Sequence, residues 1–196
     1  QWLKNLLLFM PAIAAHQFDM RTRLVLLTAF ISLNLGTSSV YVLNDMLDLQ
    51  YDRAHPEQRH RALAAGALPL SNGVALFLFL ATSSIALALT LSWAFILTLM
   101  CYFSLSISYS FYLKRKLMID VVALAALYGM RVIAGGVAVS IVLSDWMVGF
   151  CFFMFLSLAL VKRTTEMIAS PKTEFGNIQG RGYRRNDLPI ISTLMT

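Results

Sequence analysis

Asn44, Asp45, Asp48 and Asp52 crowd the end of a long apolar stretch. On a helix each residue advances about 100°, so Asn44, Asp48 and Asp52 fall at roughly 0°, 40° and 80°, with Asp45 near 100°. All four can then face one cavity. Carboxylates are expensive near lipid, so such a cluster is a functional-site hypothesis by default. Oxygen donors without His or Cys suit Mg²⁺, which binds one or two carboxylates and completes its shell with substrate phosphates. A helix end entering water explains one or two carboxylates easily, and three on one face beside an amide less easily. His55-Pro56 marks the expected end of this helix, because a residue before proline is pushed out of the α region.

Basic residues follow in the same loop. Arg59 and Arg61 are placed to hold the outer oxygens of a diphosphate that a metal holds from within, although a topogenic loop explains either one equally well. A second polar island carries Tyr109, Lys114 and Asp120. Asp120 opens an apolar helix, as a charge favoured by the helix dipole or as a ligand for metal or ribose. Arg131 lies eleven positions further on, about 20° away after three turns and roughly 16 Å along the axis. A guanidinium inside an apolar span either pairs with Asp120 or a neighbouring helix, or lines a cavity that binds an anion; its membrane cost favours the second. Lys162 and Glu166 are spaced i, i+4, which makes them either a helix-surface pair or members of the same pocket. The G-R-G-Y-R run at 180–184 has the character of a basic loop able to cover a phosphate.

The elements that must position these residues are membrane helices. Of 196 residues, 58% are hydrophobic and 13% are charged, and the mean hydropathy is +0.69. Soluble domains carry about 25% charged residues, so the chain reads as an integral membrane protein. Stretches long enough for about 20 apolar residues run near 2–18, 23–44, 72–91, 93–112, 119–142 and 145–161. The first is broken by Pro11. Ser71 or Asn72 is suited to capping the third helix. The short connections at Ser92 and at residues 143–145 predict antiparallel neighbours. With a cytoplasmic N-terminus, thirteen Lys and Arg residues gather on one side and only Arg21 and Arg23 on the other. That asymmetry places every polar motif on the cytoplasmic face. It also accounts for the net charge of +6 without nucleic acid. Cys101 and Cys151 sit in apolar runs and read as small core residues. A further apolar stretch begins near 188, so the chain reads as part of a longer protein.

The N-x-x-x-D-x-x-x-D pattern of Asn44, Asp48 and Asp52, followed by His55-Pro56 and by Arg59, Arg61, Leu63, Ala64 and Gly66, resembles the UbiA superfamily of intramembrane prenyltransferases. Ala62 replaces a usual proline and Gln58 a common lysine. Within it, the chain is most similar to the decaprenyl-phosphate phosphoribosyltransferase (DPPR synthase) branch. The features shared are Gln1-Trp2-Leu3-Lys4-Asn5, the Tyr109-Ser110, Leu113-Lys114 and Asp120 run, Arg131 with Gly135-Gly136, Lys162-Arg163 with Glu166, and G-R-G-Y-R at 180–184.

The resemblance implies an all-α, polytopic helix bundle of about nine spans. About six lie in a single UbiA-like domain over 1–196, which is C-terminally incomplete, with roughly three beyond residue 196. It implies an enzyme of the inner or plasma membrane that moves 5-phosphoribose from phosphoribosyl diphosphate (PRPP) to a polyprenyl phosphate, with Mg²⁺ as cofactor, for cell-wall arabinan precursors. Asn44, Asp45, Asp48 and Asp52 would hold the metal, and Asp48, Asp52 and Asp120 would serve catalysis. Lys4, Asn5, Arg59, Arg61, Tyr109, Lys114, Asp120, Arg131, Lys162 and Glu166 would bind substrate. Assembly into oligomers stays open. One alternative is a UbiA enzyme that takes a prenyl diphosphate donor and an aromatic acceptor. A second is a non-catalytic transporter or lipid-binding protein, against which stands the lack of an internal repeat of residues 44–52.

Overall fold

The computed structural model describes residues 2–54, 58–116 and 118–169. His55-Pro56 and the 180–184 motif lie outside these residues, as does the side chain of Glu166. The chain begins with three short pieces: α1 (Trp2–Asn5), a 3-10 turn (Leu6–Phe9) and α2 (Met10–Ala14). The main helices follow as α3 (Met20–Leu47), the short α4 (Leu49–Ala54), α5 (Leu70–Ala88), α6 (Trp93–Phe111), α7 (Ile119–Ala138) and α8 (Asp145–Ala169). Among the described residues, five helices are long and apolar enough to cross a membrane. The first span, expected over 2–18, is not formed. Pro11 sits in the first turn of α2, where a missing N–H is tolerated, and the turn before it tightens to 3-10 geometry. The apolar run from Trp2 to Ala14 reaches about 20 Å, short of the roughly 30 Å hydrocarbon core.

α3 has 28 residues and extends about 42 Å, longer than the core it crosses. Asn44 and Asp45 lie in its last turn. Asp19 caps its other end, accepting from Thr22 N at 3.1 Å. Hydrogen bonds from Thr22, side chain first, hold the Asp19 carboxyl below the usual carboxylate range.

α3 and α7 are the most enclosed of the crossing helices, while α5 presents most of its surface outward. α5 packs chiefly against α3 and only lightly against α6, although a short link joins α5 to α6. Small residues explain that choice. Ser32 Oγ donates to Ser84 O and Ser84 Oγ to Ser32 O, each at 2.8 Å. A Cβ on Gly36 would meet Ser84 Oγ at 2.9 Å. Small residues let membrane helices approach closely where the hydrophobic effect offers nothing. α7 and α8 are neighbours, as their short connection requires. Neither Ser71 nor Asn72 caps α5. Its helix begins one step earlier, at Leu70, with Pro69 as N-cap and Gly73 N bonded to Pro69 O at 3.0 Å.

The 3-10 turn at Leu6–Phe9 lies against α7, and Leu8 is fully buried. This contact brings α1, with Lys4 and Asn5, to the inner pair of helices.

Candidate active site

Polar side chains recur along the inner faces of two apolar helices. On α3 they are Asn34, Thr37, Tyr41 and Asn44, and on α6 they are Tyr102, Ser106, Tyr109 and Ser110. Spacings of three and four keep each set on one helix face. Thr37, Tyr41, Asn44 and the α6 set, together with Lys4, Tyr128 and Arg131 from the neighbouring elements, line a cavity of about 100 Å³.

Arg131 is its deepest charge, only 5% exposed. Its Nε donates to Asn5 Oδ1 at 2.8 Å, Nη1 to Leu127 O at 2.8 Å and Nη2 to Tyr102 Oη at 2.9 Å. The guanidinium carbon also lies 5.0 Å from the Tyr128 ring centre and 5.3 Å from that of Tyr102. Among the described residues no carboxylate pairs with it. The ion pair with Asp120 is therefore not formed, despite the shared helix face. Asp120 is fully buried and accepts from Tyr109 Oη at 2.7 Å. It is no solvated helix-end charge. A buried cation surrounded by neutral dipoles and aromatic faces keeps its charge uncompensated, which is the electrostatic condition for capturing an anion.

Asn5 does not offer itself to a substrate. It is 1% exposed, and its Nδ2 donates to Asn34 Oδ1 at 2.8 Å and Thr37 Oγ1 at 3.0 Å. With its oxygen on Arg131, Asn5 ties α1, α3 and α7 together and fixes the guanidinium. Tyr102→Phe, which removes one acceptor from this buried cation, is expected to cost about 1–3 kcal/mol. Thermal unfolding in detergent measures it.

The acidic motif divides. The backbone leaves α3 at Asp48, with φ −92° and ψ 9°, before α4 resumes at Leu49. Arg61 Nη1 lies 2.9 Å from both Asp45 Oδ1 and Asp52 Oδ2. Lys114 Nζ binds Asp48 through both oxygens, at 2.8 and 2.7 Å. Asn44 alone of the four reaches the cavity. Among the described residues, no three His, Cys, Asp or Glu side chains gather as a metal cluster. The single four-ligand face expected for Asn44, Asp45, Asp48 and Asp52 is thus not formed: Arg61 stands between Asp45 and Asp52, and Lys114 takes both oxygens of Asp48. The donor set nevertheless fits a hard divalent cation. Asn44 Oδ1 and Asp52 Oδ1 are buried and accept no hydrogen bond, and such ions take oxygen ligands. Tyr51 beside them is held above the ordinary phenol range, by burial first and then by Asp52 and Asp48. It is a neutral hydroxyl at physiological pH.

Of the remaining expected ligands, Lys4 lines the cavity, with Nζ 5.7 Å from the Tyr128 ring centre. Arg59 and Lys162 are exposed and line no part of it.

The sequence pattern of the UbiA prenyltransferase family matches residues 5–168. The chain belongs to this family. It is an integral membrane protein, built as an all-helical polytopic bundle. It is 36% identical over 97% of its length to the uncharacterised protein y4nM of Sinorhizobium fredii, covering 37% of that protein. Identity to the nodulation protein NoeC of Azorhizobium caulinodans is 31%, over 98% of this chain and 63% of that one. The decaprenyl-phosphate phosphoribosyltransferase of Corynebacterium glutamicum is 34% identical, over 88% of this chain and 54% of that enzyme. The chain thus spans between about a third and two thirds of these relatives.

Within this UbiA site, reasoning on motifs passed over Tyr41, Tyr102, Tyr128 and the Asn34–Thr37 support. The signal was present as polar residues at helical spacing in spans that otherwise face lipid or core.

Proposed function

We propose that this UbiA transferase moves 5-phosphoribose from PRPP to a polyprenyl phosphate such as decaprenyl phosphate, releasing diphosphate. The carrying observation is the separation of its cations into two stations. Lys114 and Arg61 stand on the acidic motif, and Lys4 and Arg131 line the inner cavity. PRPP has a diphosphate at one end of a ribose and a monophosphate at the other, which calls for two stations. A prenyl diphosphate carries one anionic group, which would leave the second station of Lys4 and Arg131 without an anion. The names of the phosphoribosyltransferase relatives point the same way.

In this reading Lys4 and Arg131 hold the 5-phosphate, while Lys114 and Arg61 turn to the diphosphate. Asn44, Asp48 and Asp52 would hold Mg²⁺, which when bound supplies positive charge to a departing diphosphate. The lipid phosphate is already an anion, so its oxygen attacks the anomeric carbon as the bond to diphosphate breaks, and no protein nucleophile is needed. Tyr109, whose hydroxyl donates to Asp120, would accept from a ribose hydroxyl at the same oxygen. The site faces the cytoplasm of the inner or plasma membrane, and the product feeds cell-wall arabinan synthesis.

The test uses the full-length protein in detergent with radiolabelled PRPP, decaprenyl phosphate and Mg²⁺. A labelled lipid is expected. Turnover of a prenyl diphosphate with an aromatic acceptor, without a labelled lipid, would overturn the proposal in favour of the other UbiA chemistry.

A further inference from the structure

Three carboxylates of the acidic motif, Asp45, Asp48 and Asp52, share two cations. One guanidinium nitrogen of Arg61 bridges Asp45 and Asp52, while Lys114 takes both oxygens of Asp48. The Asp52 side chain is only 2% exposed, so its charge has little water to fall back on. Lys114 is partly sheltered, at 18%. Arg61 itself, at 43%, reaches in from a loop that is open to solvent. Its side chain therefore has room to turn away, and the Asp52 carboxylate does not.

We infer that Arg61 and Lys114 are resting counter-ions of the metal motif, which a divalent cation displaces and a diphosphate then receives. A divalent cation arriving alone must compete with two positive charges held at hydrogen-bonding distance. Their mutual repulsion in a partly buried site weakens its binding. A cation arriving with diphosphate gives both side chains an anion to turn to, and Arg and Lys bind phosphate oxygens well. Metal and diphosphate thus load together. This coupling is reciprocal, since each must raise the affinity of the other by the same factor. Two of the three carboxylate charges stay compensated between turnovers, and free metal binds more weakly than metal with a leaving group. The inference rests on the metal-binding reading above, but it needs neither PRPP nor a lipid acceptor.

The experiment titrates Mn²⁺ into the detergent-solubilised full-length protein, followed by electron paramagnetic resonance at fixed ionic strength. It is run with Mn²⁺ alone and with the preformed Mn²⁺–diphosphate complex. Arg61→Gln and Lys114→Gln should each raise affinity for Mn²⁺ alone by about tenfold, the order expected for removing one nearby positive charge. Each should also lower affinity for the complex. Arg61→Lys, which keeps the charge, should remain close to wild type for Mn²⁺ alone. Unchanged or weaker binding of Mn²⁺ alone in both glutamine variants would overturn the inference. So would tightening of Arg61→Lys to the same degree as Arg61→Gln, because charge would then not be the cause. A protein that shows the coupling yet makes no phosphoribosyl lipid would retain this inference and lose only the substrate assignment.

Discussion

Asp48→Asn is expected to lower turnover by about two to three orders of magnitude, the range seen when one pre-organised electrostatic contact to a transition state is lost. Asparagine keeps the shape and one oxygen but carries no charge. It is a poorer ligand for a hard cation, and it no longer holds Lys114 at 2.7–2.8 Å from a carboxylate. Stability should hardly change. The Asp48 side chain is 33% exposed and its partner 18%, and such partly solvated pairs contribute at most about 1 kcal/mol. Large loss of turnover with a nearly unchanged unfolding midpoint therefore separates a catalytic role from a structural one. Steady-state transfer of label from PRPP to lipid measures the first, and thermal unfolding in detergent the second. Full activity in this variant would remove Asp48 from the metal site.

The parts of this molecule legible in its sequence are those set by one helix at a time. Apolar length alone located α3, α5, α6, α7 and α8, because a membrane helix satisfies its own backbone. The same reasoning failed on residues 2–18, where Pro11 and the docking of Leu8 against α7 decide the outcome. Arg131 was recognisable as a buried cation because its cost does not depend on its partners. Its partners were not recognisable. The shared helix face suggested Asp120, and the packing of three separate elements supplies Asn5 and Tyr102 instead. The acidic motif shows the same limit. Helical spacing put four oxygen donors on one face, yet two cations distant in sequence occupy the three carboxylates among them. Local periodicity contains nothing about which basic residue crosses from a loop or another helix to meet a given carboxylate.

Gly135→Ala is expected to detach the N-terminal segment from the bundle. A Cβ at this position would lie 1.8 Å from Leu8 O and 2.7 Å from Leu8 C. The obstacle is backbone, so no change of side-chain rotamer relieves it and the segment itself has to move. Overpacking of a tight contact costs about 1–3 kcal/mol and more where nothing yields. The segment carries Lys4 to the cavity and Asn5 to Arg131, so its displacement takes away a phosphate contact and releases the guanidinium. Activity should fall for that reason, with the acidic motif untouched. A thiol gives a readout that does not depend on activity. Cys151 on α8 is 1% exposed and packs with Val132, and Leu7 and Met10 of the N-terminal segment lie against that same cluster. Cys101 is exposed, so the measurement is made with Cys101→Ser. Labelling of Cys151 by a thiol-reactive dye in detergent should be slow in the parent and markedly faster with Gly135→Ala. Gly129 lies on the same helix, and a Cβ added there would meet nothing within 4 Å, so Gly129→Ala should label like the parent. Equal protection of Cys151 in both alanine variants would show that the N-terminal segment is not held in place by its approach to Gly135.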